Sequence, residues 1–159
     1  MFSFPENCKH IVAAAPQVGT AAAVNGTAIS LKNVQKLWAI ALVNPVGGAA
    51  LALIPQTDAL VAFASAAVLT VAQRIWANED VATSDRLVEQ TPAVNFTTAA
   101  DANLKQVIFE IDPSTLAAGE DCFRLITGAL PITDYVSIEY VILPRYAGQV
   151  STQPTVLTD

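Results

Sequence analysis

The chain has 159 residues, 53% of them hydrophobic and only 14% charged, with a net charge of −6 at pH 7 and a mean hydropathy of +0.45. Eight basic residues scattered singly leave no electrostatic footprint for nucleic acid. One histidine (His10) and two cysteines (Cys8 and Cys122) supply no convincing nucleophile–base pair, metal-ligand set or phosphate loop, so the reading is not an enzyme.

A chain of this length suits one domain and needs neither a disulfide nor a metal to hold a core. The charged fraction falls well below the ~25% of a typical soluble domain. The excess apolar surface therefore calls for partner subunits.

Residues 1–23 carry two prolines and an Ala-rich run and read as an extended N-terminal arm, with a short strand at 11–15. Phe2 and Phe4 would be its anchors in an interface, the alternative being a disordered terminus. His10, with Cys8 and Glu6 before it, matches no zinc spacing and reads as a solvent-exposed side chain. No signal peptide is expected, because Pro5 and Glu6 precede a short apolar run broken by Pro16. Cys8 and Cys122 stand in unlike contexts and read as two free thiols.

Residues 34–43 form the first clear strand, with Lys36, Trp38, Ile40 and Leu42 on one face and Leu37, Ala39, Ala41 and Val43 on the other. Both faces are apolar, which fits a central strand or one that also meets a neighbour; Trp38 reads as core. The turn signal 44–48 (Asn-Pro-Val-Gly-Gly) leads to a second strand, 49–56, and predicts a hairpin. The same turn breaks the uncharged stretch between Lys36 and Asp58 below the ~20 apolar residues of a membrane span, so no membrane is expected. Residues 59–73 are Ala-rich and read as a loop with a short helix or strand.

Short strands follow at 74–77, 87–90 and 93–98, and a clean one at 106–111 with Val107, Phe109 and Ile111 on one face. Asp112 is placed to cap a single helical turn opened by Pro113. Glu79, Asp80 and Asp85 lie close in a loop without the alternation of a calcium site and read as solvated. Strands at 122–127 and 134–143 complete the set, and residues 148–159 read as a polar C-terminal tail. Arg124, in mid-strand, is expected to pair with Glu110 or Glu139 across a sheet, or to grip a neighbouring subunit. Trp76, flanked by polar residues, is an interface candidate with a core position as the alternative. Short strands, frequent turns and no long helical period predict an all-β sandwich or jelly-roll-like single domain over 24–147.

Four strings carry a resemblance: 75–80 (Ile-Trp-Ala-Asn-Glu-Asp) with Ser84, Asp85 and Leu87; 107–114 (Val-Ile-Phe-Glu-Ile-Asp-Pro-Ser); 121–129 (Asp-Cys-Phe-Arg-Leu-Ile-Thr-Gly-Ala); and 140–147 (Tyr-Val-Ile-Leu-Pro-Arg-Tyr-Ala). Their order resembles that of small virion proteins of tailed bacteriophages, the head decoration (capsid cement) proteins. The likeness spans 24–147 by order of features and is sharp over 75–146; the arm and residues 59–73 have no counterpart in it. It implies a structural protein on the outer capsid surface of a virion, a β-sandwich or jelly-roll body with an extended arm, and two partners: the major capsid protein and itself, as a homotrimer. It implies no catalytic residues and no cofactor. Phe2, Phe4, Trp76, Arg124 and Tyr146 are the interface candidates. A second reading is an all-β receptor- or glycan-binding module, for which Trp76, Tyr135 and Tyr146 would supply an aromatic platform.

Overall fold

A computed structural model describes residues 4–145 and 156–157. Among the described residues, a four-residue helix α1 (Phe4–Asn7) precedes twelve strands: β1 (Lys9–Val18), β2 (Ala23–Asn25), β3 (Ile29–Ser30), β4 (Val34–Asn44), β5 (Ala52–Asp58), β6 (Ala67–Val68), β7 (Gln73–Asn78), β8 (Val88–Ala93), β9 (Phe96–Thr97), β10 (Lys105–Ile111), β11 (Cys122–Ala129) and β12 (Tyr135–Pro144). A single 3-10 turn (Pro113–Thr115) is capped as expected by Asp112, whose carboxylate accepts from Ser114 N at 2.9 Å.

The strands form two antiparallel sheets. The larger runs β1-β12-β4-β10-β7-β8 and the smaller runs β2-β11-β5-β6, with β3 against β11 and β9 against β5. The pairings nest. The first strand pairs with the last, β2 and β3 pair with β11, β4 pairs with β10, and β5 pairs with β6. The chain is thus one long antiparallel ribbon folded over itself and sewn by the β12–β4 and β11–β5 contacts, with the β7–β8 hairpin added at the edge. That arrangement is a jelly roll, one of the ways an all-β chain reduces exposed edges.

Period-two alternation sets the core. Leu37, Ala39, Ala41 and Val43 of β4 point inward with Val107, Phe109 and Ile111 of β10 and Ile138, Tyr140 and Ile142 of β12. They meet Leu53 of β5 and Phe123 and Leu125 of β11. Ala39 sits opposite Tyr140 on one side and Phe109 on the other. A small residue between two rings lets both lie flat enough to fill the layer at interior density. Tyr140 reaches across to the smaller sheet. Its ring meets Phe123 edge-on at 5.7 Å, and its hydroxyl accepts the Leu125 amide at 2.8 Å. A Cβ on Gly26 would stand 2.6 Å from that hydroxyl and 2.8 Å from Leu125 O, so the close approach requires glycine.

Three expectations change. Within the expected arm, residues 9–18 are sheet: β1 pairs with β12 from Lys9 to Val18, with register breaks around Ala13 and between Ala14 and Gln17. Pro16 is tolerated because β1 is an edge strand, where a missing N–H costs no ladder bond. The expected hairpin of 34–43 with 49–56 does not form. Both edges of β4 are taken by β10 and β12, so the turn hands the chain to the other sheet. Of the expected tail, residues 156–157 are described. Val156 is buried and its carbonyl accepts from Ser30 N at 2.6 Å, so that part docks on the sandwich. No described helix is long and apolar enough to cross a membrane.

Candidate interaction surface

The alternation that buries Leu37 and Ala39 turns Lys36, Trp38, Ile40 and Leu42 to the outer face of the larger sheet. Strand register then builds that face in rows. One row runs His10, Val141, Trp38, Glu110, Arg74; the next runs Val12, Glu139, Ile40, Ile108, Trp76, Glu89. The middle is apolar: Trp38, Ile40, Ile108 and Val141 are all partly exposed. Trp38 is therefore on the surface side, not in the core. The core took the small Ala39 and Ala41 because the rings beside them need the room.

The charges on this face are paired, on the central strands β4 and β10 as well as toward the two edges. Lys36 Nζ lies 2.8 Å from Glu110, and Arg74 bridges Glu89 at 3.0 Å and Glu110 at 3.6 Å. Trp38 Nε1 donates to Glu110 at 3.4 Å. The hydrogen bond from Lys36, with the charges of Lys36 and Arg74 and the Trp38 bond, holds the Glu110 carboxyl below its usual range against the opposing effect of burial. The Arg74 guanidinium stands over the Trp76 ring at 5.2 Å. Toward the β1 edge His10 Nε2 meets Glu139 at 3.1 Å, and His10 is exposed.

Phe4 lies on this face, 47% exposed, in a hollow it shares with Cys8, Trp38, Ile40, Ile108 and Val141. Cys8 N donates to Phe4 O at 2.8 Å, which closes the turn that brings the ring over the sheet. Burial pushes the Cys8 thiol up from its ordinary value, so it is a poor nucleophile. Both cysteines are buried and neither is in a disulfide, as expected.

Arg124 is elsewhere. It faces outward from the smaller sheet, whereas Glu110 and Glu139 belong to the larger one, so neither expected pair can form. Its Nε donates instead to Gln56 Oε1 at 2.8 Å, directly across the β11–β5 ladder, and its guanidinium stacks on Phe63 at 4.6 Å. Phe63 adopts φ +50, a left-handed conformation uncommon for a bulky residue. The loop around it is pinned by Asp58, which accepts from Leu60 N at 3.3 Å and Ser65 N at 2.8 Å. Those bonds, Ser65 first, lower the Asp58 carboxyl. The stretch 59–73 is thus a loop followed by the two-residue strand β6, with Leu60 58% exposed.

The remaining candidates do not converge. Asp80 accepts from Ala82 N at 3.2 Å and Thr83 Oγ1 at 2.8 Å within its own turn. Glu79 reaches Lys105 at 3.4 Å. Among the described residues no group of three or more His, Cys, Asp or Glu is placed to hold a metal. Tyr135 is exposed on β12, but β4 and β10 separate it from Trp76, so the two do not form one platform. Phe2 and Tyr146 lie outside the described residues. Sequence reasoning did not single out Ile40, Ile108 and Val141 as surface residues. The signal for Ile40 was present in the doubly apolar pattern of 34–43.

No family model matches the chain, and no curated protein matches it. Among solved structures it is similar to the SPBc2 prophage-derived protein YomS, at 10% identity and a TM-score of 0.42, over 85% of this chain and 91% of that one. A likeness to desmodium yellow mottle tymovirus has 11% identity and a TM-score of 0.19, over 89% and 82% of the two chains. Neither superposition reaches the level of a shared fold.

Proposed function

We propose that this chain is a structural virion protein: a decoration protein that binds the outside of a phage head and stabilises it through contacts with the major capsid protein and with its own copies. The observation that supports this most is the outer face of the larger sheet. It is a broad surface with an apolar middle and self-paired charges, on a domain whose core is already complete without it. A protein of this kind works by mass action. Whatever binds the assembled shell and not its separated parts stabilises the shell by RT ln(1 + [L]/Kd). Area and fit do that work, and no reacting group is needed.

The order of motifs over 75–146, which resembles that of capsid cement proteins, supports the choice of partner; the jelly roll is compatible with it and hosts other functions as well. The test is binding of the purified full chain to emptied phage heads, followed by heating. Saturable binding and a higher disruption temperature of decorated heads are expected. Heads that neither bind the protein nor gain stability from it would remove the reading.

A further inference from the structure

The outer face of the larger sheet has a definite extent. Five inter-strand gaps of ~4.8 Å and the six-residue rise of β10 from Lys105 to Ile111 at ~3.4 Å each outline a flat area on the order of 500 Å². Side-chain corrugation raises the accessible area toward the ~800 Å² per partner of a standard stable interface. Its make-up also matches an interface: Trp38, Ile40 and Ile108 in the middle, the neighbouring Glu110 carboxylate neutralised by Lys36, and the remaining charges toward the flanks.

We propose that this face is where two copies of the chain stack, related by a two-fold axis that runs along the strands between β4 and β10. The proposal rests on the self-association in the reading above and makes it specific, because a face that stacks on itself closes after two copies and not three. The axis is chosen by the rows. It lays β4 of each copy over β10 of the other, so Ile40 comes over Ile108 at the centre. It lays β12 over β7, so Glu139 comes over the corner where Arg74 covers Trp76. A carboxylate then faces a guanidinium on both sides of the axis. Within one copy these two residues are three strands apart, ~14 Å, and do not meet. Phe4, half exposed over the hollow of Trp38, Ile40, Ile108 and Val141, is covered in the same step.

Sedimentation equilibrium of the full chain at micromolar concentration reads the outcome. The expected mass is that of two chains. Ile108→Lys is expected to weaken association at least tenfold by placing a charge at the centre of the stack. Arg74→Glu and Glu139→Arg, both at exposed flank positions, are each expected to weaken it about tenfold, and the double variant to restore most of the loss. Thermal melts followed by circular dichroism confirm that each variant folds; if Ile108→Lys does not, the flank pair carries the test. A mass of one or three chains overturns the proposal, as does a dimer indifferent to Ile108→Lys or a double variant no better than its parents. A trimer that still binds heads would overturn the stacking and leave the decoration reading intact. A dimer that binds no heads would do the reverse.

Discussion

Replacing Tyr140 by Phe removes a single oxygen from between the two sheets. That oxygen accepts the Leu125 amide at 2.8 Å, and Tyr140 is fully buried. The ring and its edge-on contact with Phe123 stay in place, so little is lost in packing. What changes is the Leu125 N–H, which is left without an acceptor where water cannot follow. An orphaned buried donor costs about 1–3 kcal/mol. In a domain of this length each kcal/mol lowers Tm by roughly 2–4 °C. Urea denaturation should show a lower midpoint at unchanged slope, since the surface exposed on unfolding is the same. A Tyr140→Phe midpoint within about 0.3 kcal/mol of the parent would refute the claim that this hydroxyl ties the sheets together. The same site has an alkaline signature. Burial pushes the phenol far above its ordinary value, with the Leu125 bond opposing in part. The unfolded chain ionises this group near pH ~10. Its stabilising effect is therefore complete below that pH and declines as pH rises beyond it, a component of alkaline destabilisation that the Phe variant lacks.

Acid acts through other groups. Glu110, held low by Lys36, Asp101 by Lys105, Asp112 by Ser114 and Asp58 by the Ser65 amide all have depressed values. Their contribution is present above the ordinary carboxylate range and lost as pH falls through the folded values, so the urea midpoint should hold from neutrality to about pH 5 and drop below about pH 4; a decline that begins well above pH 5 would contradict this. Lys105 is fully buried, with its ammonium on Asp101 and on the Glu79 carbonyl at 3.2 Å. Lys105→Ala opens a cavity and should cost about 2–5 kcal/mol, while the volume-matched Lys105→Met should cost less than about 1.5 kcal/mol; equal losses would show that the charge and not the stem holds that end of the sandwich. Asp58→Ala removes the acceptor of the Leu60 and Ser65 amides. Amide exchange at Ser65 should quicken at least tenfold with the Ile75 and Phe109 amides unaffected, and unchanged exchange would mean the loop is held by the Phe63–Arg124 stack alone.

The all-β class and most strands were legible because alternation is local. The clean pattern at 106–111 became β10, and Asp112 capped its turn, since a cap needs only the residues beside it. Partner choice is not local. The turn at 44–48 signalled a reversal correctly, yet the strand before it was already claimed on both edges by residues far along the chain. β1 was under-read because Ala13, Ala14 and Pro16 offer no alternation; its strand state comes from β12. The same blindness affected the surface. Residues 34–43 are apolar on both faces, and only the rings of Tyr140 and Phe109 decide which face is inside. Arg124 could be matched with Glu110 or Glu139 only while the sheets were unassigned.

The nested ribbon also orders events in time. Its innermost pair, β5 with β6, can close as soon as about a dozen residues are available, whereas the outermost pair joins Lys9 to Ile142. Loops that long are entropically slow to close, which places the domain among the slow, high-contact-order folders. On the ribosome, β1 and β4 must wait for β12, and an apolar strand such as β4 stays open on one edge until β12 emerges. Synthesis of this protein therefore exposes a sticky, half-made sheet until β12 is complete, and conditions that slow residues 135–144 should send it to aggregates instead of folded protein.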